Sequence, residues 1–212
     1  MSRTDRTPRR RLDPIRRQSE IQAVAAGTFA SQPYEQVSMA EIAGQAQASE
    51  ALLYRYFGSK PQLYTEILRT ALDEIRARQQ TAVAALGPGA TTREELRALV
   101  DTRLDYLMPL SPIWATALIT TGNDPAEARV MRIEVREQRL AALRGLGGLT
   151  VIDDYALHGF LGFVDAACLA WVERGCPAGN RDQLVQASVN ALLGPADDPR
   201  PEAARRGKFG RR

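Results

Sequence analysis

Residues 38–60 read SMAEIAGQAQASEALLYRYFGSK, and this stretch decides the fold. Ser38 is followed three residues later by Glu41, a spacing typical of a capping box at a helix start. The pattern predicts a short helix over 39–46. The next two residues, Gln47 and Ala48, predict a turn rather than a continuation of that helix.

A second short helix is predicted directly after the turn, over 50–57. Ser49 is suited to cap its start, and Gly58 followed by Ser59 breaks the chain at its end. Two short helices joined by a tight turn are typical of a helix-turn-helix. In that motif the second helix lies in the major groove of DNA, which is wide enough for one helix.

A longer helix precedes this pair. Asp13 and Pro14 predict its start, because Asp caps a helix and Pro suits the first helical position. Pro33 ends it. Between them, apolar side chains recur at intervals of three and four residues and predict one buried stripe: Ile21, Val24, Ala25, Thr28 and Phe29. We expect residues 13–60 to form one three-helix module.

The rest of the chain is also helical in pattern, without strand-like alternation of useful length. The predicted helices cover about 60–86, 92–107, 114–120, a segment capped by Asp124 and Pro125 that ends at the glycines from 145, 151–174, and 180–193. The fold class is therefore all-α, with a helical body over 61–194. Residues 1–12 are expected to be a flexible basic arm and 195–212 a disordered basic tail.

Composition narrows the function classes. Hydrophobic residues make up 44% of the 212 residues, and no run of 18 apolar residues occurs, so we expect a cytoplasmic protein without a membrane span. Cys168 and Cys176 lack metal-ligand or disulfide spacing, and His158 is the single histidine. We therefore expect no enzyme, metal or cofactor. Residues 1–60 carry a net charge of +3, which favours a polyanionic partner, although a solvated basic segment is the alternative.

The module resembles the tetracycline-repressor (TetR) family of one-component regulators. The resemblance covers roughly residues 15–68 and lies in SMAEIA at 38–43, Ala48-Ser49, the run LYRYFGSK at 53–60, and Leu63. The sequence departs from the family at Pro33 and at Gln47, where the family usually has Gly. If Gln47 adopts a left-handed conformation, the cost is about 1 kcal/mol.

The resemblance implies the DNA contacts. Phosphate contacts are implied for Ser38, Tyr54, Tyr56 and Lys60, and base contacts or positions beside them for Glu50, Ala51, Leu52 and Arg55. Ser49 is a further candidate for DNA binding. Lys60 at a helix start opposes the helix dipole, so a bound phosphate would offset a local penalty. Arg16 and Arg17 repeat this pattern, and Arg9–Arg11 could follow the DNA backbone or be a solubility tail.

Alternatives remain for several of these side chains. Tyr54 and Tyr56 could be packing aromatics. Lys60 could be a solvated lysine, and Glu50 could cap its helix rather than accept a hydrogen bond from a cytosine.

The helical body is expected to bind a small molecule. Ligand sites are mostly apolar with a few placed polar groups, and the middle helices carry aromatics with polar neighbours. The candidates are Tyr106, Met108, Trp114, Leu118, His158, Phe160, Phe163 and Asp165. Each of them could instead be an ordinary core or helix residue.

The last two helices, about 151–193, resemble the family's dimer-forming pair. Gly159, Gly162, Ala166, Ala167 and Ala170 are small residues at helical spacing that permit close approach, although packing within one chain is the alternative. A dimer would place two recognition helices about 34–36 Å apart on a near-palindromic site.

The sequence thus predicts a ligand-responsive transcriptional regulator. It is expected to act as a repressor that binds double-stranded operator DNA as a homodimer and is released by a small-molecule inducer. The rival hypothesis is a small-molecule-binding helical protein that no longer reads DNA. A helical enzyme is a weaker rival, because no catalytic set is visible.

Overall fold

The computed structural model describes residues 14–122, 124–149 and 154–195. All regular elements in these ranges are helices, so the all-α prediction is confirmed. They are α1 (Pro14–Ser31), α2 (Met39–Gln45), α3 (Glu50–Phe57), α4 (Lys60–Leu86), α5 (Thr92–Leu107), α6 (Pro112–Ile119), α7 (Ala126–Arg144), α8 (Asp154–Glu173) and α9 (Arg181–Leu193). The Asp13 cap, the 1–12 arm and nearly all of the 195–212 tail lie outside the described residues.

Helices α1, α2 and α3 pack around one small core. Its centre contains Ile21 and Phe29 from α1, Ile42 from α2, and Leu53 and Phe57 from α3, all buried. Leu53 and Phe57 lie one helical turn apart, so α3 has one face for the core and leaves the opposite face for solvent.

Side-chain caps start both short helices. Ser38 Oγ accepts a hydrogen bond from the Glu41 amide at 3.0 Å, and Ser49 Oγ accepts one from Leu52 at 3.3 Å. A full capping box at α2 also needs a hydrogen bond from the Ser38 amide to the Glu41 side chain, and that part of the prediction is wrong. The Glu41 carboxylate accepts instead from Gln32 Nε2 at 2.6 Å and from Gln45 Nε2 at 3.3 Å, which ties α2 to the end of α1.

Helix α4 connects the three-helix module to the body. It has 27 residues and is therefore about 40 Å long. It packs on α1 and α3 of the module and on α5 and α7 of the body. Its apolar side chains Leu63, Leu68, Leu72 and Ile75 are buried. A movement of α4 in the body would therefore reach the module directly.

The body follows the predicted order, with two corrections. α6 begins at Pro112 rather than near Trp114, because Ser111 Oγ accepts a hydrogen bond from the Trp114 amide and caps the helix. Asp124 does not cap α7, because its carboxylate is buried and pairs with Arg132.

Helix α8 forms the apolar centre of the last helical pair. By length and composition it is the one described helix that could cross a membrane, with a mean hydropathy of 1.4. Seven of its side chains are buried inside the protein, from Leu157 to Val172. Core helices of soluble proteins meet the same criterion, so this feature is weak evidence for a span.

Candidate DNA-binding surface and effector cavities

The outer face of α3 is polar and accessible. Glu50, Ala51 and Arg55 are exposed, and the Tyr54 side chain is 48% exposed despite its large aromatic ring. Ser49, at the start of the helix, is exposed as well. The small side chains of Ser49 and Ala51 allow the first turn of α3 to approach a partner surface closely. This geometry fits a helix that enters a groove with its first turn.

Leu52 and Tyr56 lie at the edge of that face, and both are half-buried. The Tyr56 ring packs edge-on against Phe57 with ring centroids 6.1 Å apart, and the Arg55 guanidinium lies 5.6 Å from its centroid. Tyr56 therefore has a packing role, and the phosphate contact assigned to it stays a prediction.

Lys60 has an intramolecular role that the sequence did not indicate. Its Nζ donates to the carbonyl oxygens of Tyr34 and Val37, each at 2.8 Å, and lies 4.2 Å from the Tyr34 ring centroid. Partial burial lowers the pKa of Lys60. The ammonium thus fixes the loop before α2 to the start of α4. The phosphate contact of Lys60 remains a prediction, and a contact there would compete with these acceptors.

Arg17 holds the turn between α2 and α3. Its Nη2 donates to the carbonyl oxygens of Ala46 at 2.9 Å and Gln47 at 2.8 Å. Gln47 has φ of 49°, so the left-handed conformation considered for this position is present. Arg16 instead forms an exposed ion pair with Glu20 at 3.2 Å. No local sequence pattern links Arg17 to a turn 30 residues later, which is why sequence reasoning missed the contact.

The eight predicted ligand-binding residues do not converge on one cavity. Phe160 lines a narrow cavity of about 60 Å³ between α4, α5, α7 and α8, here called the central cavity. Leu118 and Asp165 line a neighbouring space of about 310 Å³ along α7, here called the arginine cavity. Tyr106 and Trp114 border a groove between α1 and α4.

The other three candidates line none of these spaces. Met108 is half-exposed at the end of α5, and Phe163 is 40% exposed on α8. His158 Nδ1 lies 3.3 Å from Arg136 Nη2, and its Nε2 lies 3.7 Å from Asp154. Met108, His158 and Phe163 therefore stay predictions.

A further cavity of about 450 Å³ lies where the module meets the body. Its wall includes Tyr64, whose ring lies 4.7 Å from the Tyr34 centroid and 5.1 Å from the Phe29 centroid. Trp114 packs edge-on against Tyr64 at 6.3 Å and is 7% exposed, so it belongs to the core of this junction. We call this space the junction cavity.

Hydrogen bonds connect α4, α6 and α7 beside the junction cavity. Tyr64 Oη donates to Asp124 Oδ1 at 3.4 Å, and Arg132 pairs closely with the same carboxylate. Arg132 also donates to the carbonyl oxygens of Ala117 and Leu118 at the end of α6. Burial and the Asp124 charge raise the pKa of Tyr64, so its hydroxyl stays protonated and donates.

Four arginines on α7 face the same side of the helix. Arg129, Arg132, Arg136 and Arg139 are spaced by three and four residues and all line the arginine cavity. Asp165 on α8 accepts a forked pair of hydrogen bonds from Arg139, at 3.1 and 3.0 Å. Sequence reasoning selected Asp165 but none of its arginine partners, although the i, i+3, i+7 spacing of arginines on α7 is visible in the sequence.

An accessible stripe of small side chains runs along α8. Gly159, Gly162 and Ala166 are exposed, as are Phe163 and Tyr155, the latter by 87%. Exposed Ala187 and Ala191 on α9 extend the small-residue surface. Small side chains on a helix permit close approach of another helix.

The chain is similar to known bacterial regulatory proteins. Residues 21–67 match the family model described as bacterial regulatory proteins, tetR family. The HTH-type transcriptional regulator BetI of Rhizobium meliloti (strain 1021) is 34% identical over 150 residues, which are 69% of this chain and 72% of that protein. The repressor KstR of Mycobacterium tuberculosis is 26% identical over 168 residues, 77% of this chain and 74% of the relative.

A solved structure shares the same fold. The transcriptional regulator FadR from Bacillus subtilis, crystallised in complex with stearoyl-CoA, superposes with a TM-score of 0.69 at 18% identity. The match covers 84% of this chain and 98% of that one, so it includes both the module and the body.

Proposed function

Because the chain belongs to the tetR family of bacterial regulatory proteins, we propose that it is a repressor that binds operator DNA as a homodimer and releases it when a small-molecule effector binds. The observation that carries this proposal is the outer face of α3, which leaves Tyr54 and Arg55 accessible while Leu53 and Phe57 form the core. Its site of action is the cytoplasm, where operator DNA lies.

We propose the division of the chain that the sequence indicates. Residues 13–60 are the DNA-binding module, and 61–194 are the ligand-binding and dimerisation body. In the module, α3 enters the major groove, with Ser49, Glu50, Ala51, Leu52 and Arg55 near the bases. Ser38, Tyr54, Tyr56 and Lys60 are placed beside the phosphates, where contacts orient the protein without reading sequence.

The dimer is proposed to form through α8 and α9. The small, exposed side chains of the α8 stripe would allow two such helix pairs to pack as a four-helix bundle. This surface lies on the body, so pairing there leaves the outer face of α3 accessible.

Effector release is proposed to operate through α4. Arg76 and Gln79 of α4 line the central cavity, and Leu72 lines the arginine cavity, so an occupant of either space touches this helix. The same helix carries Lys60 and Leu63 at the module. A ligand can weaken DNA binding only as far as it prefers the conformer with altered α4, which makes the coupling measurable.

The relatives support a role in transcriptional regulation, but they include both repressors and an activator. KstR of M. tuberculosis is named a repressor, whereas FasR of Mycolicibacterium smegmatis, 29% identical over 97 residues, is named an activator. FadR from Bacillus subtilis, which shares this fold, was crystallised in complex with stearoyl-CoA, and this supports a small-molecule effector for the present chain. We propose repression here. A reporter gene under the native promoter should then be expressed more strongly when the regulator gene is deleted. Lower expression on deletion would show activation instead.

The DNA-binding proposal is tested by fluorescence anisotropy on the DNA that flanks the gene. Arg55→Ala should weaken specific binding about tenfold, because an arginine that reads a base contributes roughly 1–3 kcal/mol. Tyr54→Phe should weaken binding to all sequences alike, as expected for a phosphate contact. Arg78→Ala removes the same charge from the body and should leave the affinity unchanged.

The salt dependence provides the second arm of this test. The logarithm of the affinity should fall steeply and linearly with the logarithm of the salt concentration, because each phosphate contact releases counterions. A flat salt profile, or no complex with any fragment, would instead favour a helical protein that has lost DNA recognition.

A further inference from the structure

Two arginines in the middle of the body share a single carboxylate. Asp165 Oδ1 accepts from Arg103 Nη2 at 2.9 Å, while Arg139 donates to both oxygens of the same group. The Arg103 side chain is 4% exposed, and those of Arg139 and Asp165 are 24% and 22% exposed. The cluster of Arg103, Arg139 and Asp165 therefore retains one net positive charge inside the protein.

Arg103 is also incompletely bonded. Its Nε is buried and has no hydrogen-bond partner among the described residues. The neighbouring Cys168 is a poor hydrogen-bond acceptor for Arg103, because burial raises the pKa of its thiol and keeps the sulfur neutral. A buried donor without an acceptor is costly, and a bound ion or a functional role is among the explanations for such a group in a native protein.

The electrostatics of the cluster show the same imbalance. Burial, and the charge of Arg103 beside it, lower the pKa of Arg139. Burial would raise the pKa of Asp165, but Arg139 and Arg103 together lower it, so the carboxylate stays ionised. The two guanidinium groups thus have more positive charge than their one acceptor can balance.

The space beside the cluster has a mixed character. Arg103 and Arg139 line the central cavity, whose other walls include Leu99, Phe160 and Val164, and none of its described lining residues is acidic. Arg139 also lines the arginine cavity, in which Asp165 is the one acidic side chain among the described lining residues. Arg139 thus lies where the cationic residues of the arginine cavity meet the apolar wall of the central cavity.

We propose that the effector is an amphiphilic anion whose carboxylate or phosphate binds Arg103 and Arg139 and whose apolar part lies along Leu99, Phe160 and Val164. This inference rests on the proposed function, since it names the ligand class of the effector site. Guanidinium forks match carboxylate and phosphate oxygens, and a charge-assisted bond is stronger than a neutral one. The anion would supply the acceptor and the negative charge that the cluster lacks.

The test uses the purified full-length protein and isothermal titration calorimetry without DNA. Because the central cavity is only about 60 Å³, the probes share a short four-carbon chain and differ in the head group: butyl phosphate, butanoate, butan-1-ol and butyltrimethylammonium. The two anions should bind at least about tenfold tighter than the alcohol, and the cation should bind more weakly still. Equal binding of the four probes, or binding of none, would overturn the proposal.

Single substitutions test whether the preference for anions arises from the cluster of Arg103, Arg139 and Asp165. Arg103→Met keeps an apolar stem of similar length and leaves Asp165 bonded to Arg139, so the free protein should not lose thermal stability. The anions should then lose most of their advantage over the alcohol. Arg97→Met, also on α5 but bonded to Gln186 at 2.9 Å and outside both cavities, should retain it. An anion preference that survives Arg103→Met overturns the assignment.

DNA binding is measured separately on the same samples. Anion binding without release of DNA would support the ligand class and contradict the proposed coupling through α4. DNA binding without any preference for anions would support the proposed regulator and contradict the ligand class.

Discussion

At the scale of single residues, Gln47 is the one non-glycine residue with a positive φ among the described residues of the three-helix module. Its φ of 49° lies in the left-handed region, where a side chain with a Cβ costs about 1–2 kcal/mol relative to glycine. The hydrogen bonds from Arg17 to the carbonyls of Ala46 and Gln47 hold the turn in place despite this cost. The strain therefore persists because a side chain from α1 stabilises the turn.

Gln47→Gly should raise the free energy of unfolding by about 1 kcal/mol, because glycine adopts this angle without a steric penalty. Part of the gain is offset by the greater freedom of glycine in the unfolded chain. Urea denaturation followed by circular dichroism measures the change. Gln47→Ala is the matched control, since it removes the same side chain but keeps the Cβ. Equal gains in both variants would show that the backbone angle is not the cause.

At the scale of elements, α3 depends on its surroundings. It has eight residues, fewer than an isolated helix needs in water, so its stability comes from its cap and its core side chains. Ser49→Ala removes the cap and should lower the free energy of unfolding by about 1 kcal/mol. Ser19→Ala, an exposed serine within α1, should change stability little.

Ser49→Asp separates the cap from the DNA contact in the same assays. An aspartate caps well and its charge favours a helix start, so stability should return to that of the parent protein. The operator affinity should nevertheless fall, because the carboxylate would bring a further negative charge to the surface of a polyanion. If the affinity is restored together with stability, Ser49 acts through the cap alone.

Elements were also the scale at which the sequence was most informative. The bounds of α4 and α5 were predicted closely, because glycine breaks and serine or threonine caps act on neighbouring residues. Contacts between distant segments could not be predicted in this way. Lys60 bonds to carbonyls more than 20 residues earlier, and Arg103 meets Asp165 across the bundle. Such pairs depend on how helices pack, which periodicity does not specify.

At the scale of the whole molecule, DNA binding and self-association should be linked. In the proposed dimer each module would read one half-site, so a near-palindrome would be bound tightly only when two modules are held at the spacing of a helical turn, about 34–36 Å. The α8 stripe is the surface proposed to hold them together. The individual module would retain its fold and its weak attraction for phosphates without the partner.

Ala166→Arg places a charge in the middle of the α8 stripe and tests this linkage. Pairing of two such surfaces would bury two like charges without acceptors, so sedimentation should show a monomer with unchanged helical content. Affinity for a full palindrome should fall by at least about a hundredfold, whereas binding to an isolated half-site should stay as it was. Ala77→Arg, at an exposed alanine on α4, should remain dimeric. A stable dimer of Ala166→Arg with normal operator affinity would place the interface on another face of the body.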